Sequence, residues 1–387
     1  MIAAPQEILD DVIRWRRLIH RRPEFGFAEH ETSRLVETEL RAAGIDVRRV
    51  LDTGVVGTLT GARRGKTLAL RADMDALPID ERAPLDFKSE TPGAMHACGH
   101  DAHTAMLLGA AVSLARERER LAGTLKFFFQ PAEEGPGGAK PMIEAGVMRS
   151  PDVDAIVMLH VWPTLPAGAI GVRPGAMTAS CDDFDIDVNG RGGHGGYPHD
   201  AIDTIPVAAE MVLALQSIVS REIDPVRAAV VSIGRIEGGY RRNVIADRTK
   251  LSGTLRCLDE DVRRGVPERI QRIVGGVAAA HRAKASVRFE YGYPSVHNDP
   301  ELTAAVIDIA RRVPLVREVR ELSQPTMGAE DFAYFAQTAP GCMIRLGCAS
   351  PGDPDPASLH SPDFRLDENA LPVGVALLRA LAHDLTR

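Results

Sequence analysis

Apolar residues recur at helical spacing over residues 7–21, where Ile8, Val12, Trp15, Leu18 and Ile19 share one face. The spacing returns over 29–43 with Leu35, Val36 and Leu40, and Gly44 supplies a stop. Gly54–Thr60 and residues 67–71 read as strands around a glycine-rich turn. An Ala/Leu-rich helix is predicted over 102–118, a strand over 124–129, a helix over 138–146 and a buried strand over 155–159. Strands alternating with helices, some of them continuously apolar, indicate an α/β layer.

The pattern changes near residue 180. Residues 184–188 alternate with period two, and Ile205, Ala208, Val212, Leu215 and Val219 form a helical stripe across 201–221. Strands are predicted at 229–236, 249–256 and 286–291, with a helix over 259–282. That order, β-α-β-β-α-β, is the order of a ferredoxin-like split unit. Past Pro294 helices return at 301–312, 330–337 and 369–386, with a strand over 342–347. The chain has 387 residues, and single cores stop growing near ~250–300. We therefore expect a domain made of 1–180 and 295–387, interrupted by a second domain at 181–294.

Composition narrows the function classes. Apolar content of 44% and charged content of 26% are ordinary for a globular protein. A net charge of −7 gives no basic field for nucleic acid or an anionic membrane. No apolar run approaches the ~20 residues of a membrane span, and the charged N-terminus lacks a signal-peptide core. The five cysteines, at 98, 181, 257, 342 and 348, show no disulfide-scaffold spacing, so a reducing cytoplasm is expected.

The densest chemistry is His96-Ala-Cys98-Gly-His100-Asp101-Ala-His103. Cys98 and His100 lie two apart, and Gly99 frees the backbone to turn both side chains one way. Thiolate with imidazole favours a transition metal over magnesium or calcium. His103, one turn into the helix, suits a supporting or core role, and His96 is a weaker candidate. A second cluster, Gln130-Pro-Ala-Glu133-Glu134-Gly, follows an apolar strand. Adjacent side chains in extended backbone point apart, so one carboxylate can hold a metal while the other takes a proton from water.

His160 ends an apolar strand and His360 stands in a loop about 200 residues later. Each gains weight because the clusters need further ligands: Cys98, His100, Glu134, His160 and His360 make five, about what two metals use. Asp73 and Asp75 follow the 67–71 strand, where ligands bind in open α/β sheets, and either could orient a metal ligand. In the second domain His194 stands among glycines, placed to donate to a developing oxyanion. Asn243 and Arg256 could clamp a substrate carboxylate, although a surface salt bridge would also explain Arg256. The role of Gly328-Ala-Glu330-Asp331 stays open. There is no nucleophile elbow, Walker-type run or dinucleotide fingerprint.

These motifs, in order from His20-Arg-Arg-Pro-Glu-Phe to Leu359-His-Ser-Pro, resemble the aminoacylase, hippurate hydrolase and indoleacetyl-amino-acid hydrolase group of co-catalytic metallopeptidases. The resemblance covers nearly the whole chain. It implies Cys98, His100, Glu134, His160 and His360 as ligands of two divalent ions (manganese, zinc, cobalt or nickel) and Glu133 as general base. It also implies an α/β fold: a mixed-sheet, zinc-peptidase-like catalytic domain with an inserted α+β ferredoxin-like lid, which in such enzymes dimerises and brings the histidine matching His194 to the partner's site. One position departs. Ala246 follows Asn243-Val-Ile where the family often has proline, leaving that backbone less fixed.

The expected activity is metal-dependent hydrolysis of an N-acyl amino acid to a carboxylate and a free amino acid, by a homodimer or dimer-based oligomer. A dipeptidase or carboxypeptidase of the same family is the alternative. Two further rivals are a hydrolase with Cys98 as nucleophile and a metal-dependent binding protein on a hydrolase scaffold.

Overall fold

The computed structural model describes residues 6–387, which divide into two compact units. Unit 1 comprises residues up to Gly175, His297–Ser323 and Tyr334–Arg387; unit 2 comprises Ala176–Val296 and Gln324–Ala333. The segment 324–333, expected within the first domain, thus groups with unit 2, and the first cut falls a few residues before 180.

Unit 1 is built on an eight-stranded mixed sheet, in the order Asp46–Val50, Gly54–Thr60, Ala122–Gln130, Arg63–Asp73, Ala155–Pro166, Gly341–Ala349, Ala169–Val172, Glu318–Glu321. Its four central strands run parallel, so their carboxyl ends share one edge. There Asp73 pairs with Gln130, Arg71 with Met158, and Arg345 with His160. The helix His100–Ala115 packs against this sheet, between the helices Gln6–Arg21 and Ala370–Leu385. It is apolar on nearly every side, as befits a helix covered on all sides. Gly109 permits a close approach: a Cβ there would lie 2.2 Å from Val12 Cγ2.

Unit 2 carries a four-stranded antiparallel sheet, ordered Ala229–Gly238, Arg248–Cys257, Asp182–Asn189, Lys284–Tyr291. The helices Thr204–Ser217 and Glu260–Ala280 pack on it around Ile186, Met211, Leu251 and Ile270. Asp203 and Asp259 cap them through their side chains. This is the β-α-β-β-α-β arrangement that the period-two and helical patterns foretell.

No helix among the described residues is long and apolar enough to cross a membrane. A buried charge network locks the first helix to the central one. Asp101 accepts from Arg16 Nε at 3.0 Å and lies 2.9 Å from His20 Nδ1, while His20 Nε2 meets Glu81 at 3.1 Å. Burial opposes a charge on His20, but Asp101 and Glu81 outweigh it and hold its pKa up at about 9.

Because the folded pKa lies above the ordinary 6.5, this contribution is fully present below about pH 6.5 and lost as pH rises through about 9. We expect denaturant unfolding of the wild type to weaken over that window by roughly 1–3 kcal/mol. His20→Gln should remove that part of the slope. An unchanged slope in the variant would refute the assignment.

Candidate metal centre

The site forms where the parallel strands end. Gly99 stands at the entrance of the central helix with φ +86°, and a Cβ there would meet Val161 Cγ2 at 2.4 Å. Only glycine meets both demands. This sharp entry turns Cys98 and His100 toward His160: Cys98 Sγ lies 3.5 Å from His160 Nε2, and ligand atoms of all three lie within 4.8 Å of one another. Cys98 also belongs to a second such trio, with Glu134 and His360, in which His360 Nε2 lies 3.1 Å from Glu134 Oε1. The five residues expected as ligands are therefore together, in two adjoining groups that share one sulfur.

The free nitrogens suit a cation. His100 Nδ1 is held by the Asp75 carbonyl at 2.9 Å, and its buried Nε2 has no hydrogen-bond partner among the described residues. His160 Nδ1 is engaged by the Val161 carbonyl at 2.8 Å, which turns Nε2 toward Cys98. In both rings one nitrogen is tethered and the other offered, as in metal-ligating histidines. Burial pushes the His160 pKa well down, favouring the neutral imidazole that binds metal. Burial acts likewise on His100, but Asp73 and Asp75 prevail and raise it to about 10. A cation at Nε2 would satisfy the same carboxylates in place of that proton.

The adjacent carboxylates are positioned through their backbone. Asp75 accepts from the amides of Glu133 at 3.0 Å and Glu134 at 2.9 Å. Glu133 Oε2 and Glu134 Oε1 then lie 3.9 and 4.0 Å from His100 Nε2. Asp73 serves differently: Oδ1 lies 2.7 Å from His103 Nδ1 and Oδ2 accepts from Arg71 at 2.6 Å. His103 Nε2 in turn accepts from the Val161 amide at 2.8 Å. Both its nitrogens are occupied, so His103 supports rather than ligates. His96 is buried, and neither of its nitrogens has a hydrogen-bond partner among the described residues.

Sequence patterns assigned no role to Glu29, Arg71 or Gln130, although Gln130 heads the cluster that holds Glu133 and Glu134. Glu29 accepts from the Ala132 amide and the Thr53 hydroxyl, both at 2.8 Å, and so pins the turn before Glu133. Arg71 donates to Gln130 at 2.8 Å. A charged residue inside an apolar strand was the available signal for Arg71; Glu29 offered none.

In unit 2, His194 is exposed on a two-residue strand paired with Val244, and the Asn243 carbonyl accepts from the Gly195 amide at 2.8 Å. His194 and Asn243 are thus neighbours. The carbonyl of Ala246 accepts from both the amide and hydroxyl of Thr204, at 3.2 and 3.1 Å, so that backbone is held without proline. Arg256 lies on the Arg248–Cys257 strand, half-buried, with no ion pair among the described residues; the surface salt bridge weighed for it is not found.

The family profile of peptidase family M20/M25/M40 matches residues 69–384. A thermostable carboxypeptidase 1 of Saccharolobus solfataricus is 43% identical over 385 residues, 98% of this chain and 95% of the relative. An N-acyl-L-amino acid amidohydrolase of Geobacillus stearothermophilus is 44% identical, across 76% of this chain and 80% of its own. Among solved structures, the YXEP protein of Bacillus subtilis, a dinuclear metal binding peptidase from M20 family, superposes with a TM-score of 0.87 at 36% identity, covering 99% of both chains.

Asp75→Ala should weaken divalent-metal affinity by about 10–100-fold, measured by competition with a chelating dye, with helix content retained. Wild-type affinity in that variant would show that the amide clamp is not needed to hold the carboxylates.

Proposed function

This chain belongs to peptidase family M20/M25/M40 and is a metal-dependent amidohydrolase; we propose that its substrates are N-acyl amino acids, cleaved to a carboxylate and a free amino acid. The observation that carries the reading is the pair of ligand trios sharing Cys98, with Glu133 beside them. The kinship with an N-acyl-L-amino acid amidohydrolase at 44% identity supports the substrate class.

In this proposal Cys98, His100, Glu134, His160 and His360 hold two divalent cations. The cations supply Lewis acidity and make water acidic near neutral pH. Glu133, fixed at its backbone by Asp75, takes the proton of the attacking water and returns it to the departing amino nitrogen. His194 is assigned to the oxyanion, and Asn243 with Arg256 to the substrate carboxylate. Unit 2 serves as lid and dimerisation surface, and a reducing cytoplasm suits five cysteines that are all free.

A thiol route through Cys98 fits poorly. Burial, then Glu134 and Glu133, push that thiol's pKa well above its ordinary value, away from the nucleophilic thiolate. The carboxypeptidase relative favours peptide hydrolysis as the second reading, with the same residues in the same roles.

Glu133→Ala should keep two metal ions per chain by elemental analysis while losing at least about 10²-fold in kcat. Full turnover would refute the base assignment. A panel of N-acetyl, N-benzoyl and N-indoleacetyl amino acids beside dipeptides decides between the two substrate classes. Cleavage of dipeptides alone would replace the first reading by the second.

A further inference from the structure

Unit 1 holds two arginines, Arg345 buried and Arg173 half-buried, whose Nε atoms meet no acceptor among the described residues. Arg345 lies in register with His160 on the neighbouring strand, so both side chains leave the same face of the sheet. Its guanidinium carbon lies 3.9 Å from the centre of the Trp162 ring, and that ring stands 6.0 Å from the His160 ring. The stack serves the face of the guanidinium and leaves its edge. Nε and Nη2 of Arg345, and Nε of Arg173, are buried without a hydrogen-bond partner.

Nε and Nη2 together form the side-on fork that grips a planar oxyanion. Two other arginines show what that edge holds in this chain. Arg17 grips Glu368 with it at 3.0 and 2.6 Å, and Arg263 grips Asp182 at 2.8 and 2.6 Å. Arg345 is only 7% exposed. Burial and then Arg173 push its pKa down to about 10, which still leaves it charged at neutral pH. A buried cation whose charged neighbour has the same sign calls for an anion.

We propose that Arg345 and Arg173 form a carboxylate-binding subsite, with the carboxylate seated on the Nε/Nη2 edge of Arg345, one aromatic ring away from His160. The choice of carboxylate among oxyanions rests on the amidohydrolase reading, since its substrates and products carry that group. The carboxylate is either a second acidic group of the substrate or a separate small anion.

The chain has two tryptophans, Trp15 and Trp162, so emission of the metal-loaded enzyme reports on the stack. Sodium acetate, titrated at constant ionic strength, should change the emission saturably. Arg345→Met should weaken that response at least about tenfold, and Arg173→Gln should weaken it less. If Arg345→Met does not fold, Arg345→Lys keeps the charge without the fork and should also weaken it. No saturable change in the wild type, or a wild-type titration in the Arg345 variants, overturns the subsite.

Turnover separates the two sources. If the substrate supplies the carboxylate, Arg345→Met should raise KM about tenfold for N-succinylalanine and leave N-acetylalanine unaffected. If a free anion binds, acetate should alter wild-type turnover of both substrates alike. The emission reading needs no turnover: a flat titration with active enzyme removes the subsite alone, and a normal titration without hydrolysis removes the amidohydrolase reading alone.

Discussion

One residue, Asp75, ties together two of the segments from which the candidate metal centre is made, the His100 turn and the Glu133-Glu134 pair. Its carboxylate oxygens accept from the amides of Glu133 and Glu134, and its own carbonyl orients His100. Gripping two successive amides fixes the backbone from which both side chains start, so the neighbouring glutamates leave it in different directions although they are chemically identical. All of this happens at the carboxyl ends of parallel strands, where the sheet itself sets the spacing.

In the surrounding core two buried carboxylates, Asp101 and Asp73, are each answered by an arginine. Asp101 stays ionised, against burial, because Arg16 and His20 face it. Asp73 is met by Arg71 and His103. At the metal centre the carboxylates of Glu133 and Glu134 converge beside the Cys98 sulfur, a donor set whose charge a pair of divalent cations would answer.

Much of the fold was legible in the sequence because its elements are long and strongly periodic. The helices at 6–21 and 100–115, and the apolar strand 122–130, announce themselves by period and composition. The strands Asp46–Val50 and Glu318–Glu321 did not. They close the two edges of the sheet and are largely exposed and charged, so neither alternation nor an apolar run marks them. The five candidate ligands could be picked out from their motifs and the family resemblance, and the fold brings them together, whereas the residues that support them could not. Glu29 reaches Ala132 across 103 positions, and no local pattern encodes such a contact.

The strand Gly341–Ala349 lies in the middle of the large sheet, beside Ala155–Pro166, yet it is made only after all of 176–296. During synthesis the first half of unit 1 must wait with the edge of Ala155–Pro166 unpaired, while unit 2, with its own apolar core, has its main segment complete. An apolar strand left open in this way invites pairing with other nascent chains. The interrupted layout therefore leaves the newborn polypeptide with an unpaired inner strand until its tail arrives, an exposure that the finished sheet does not share.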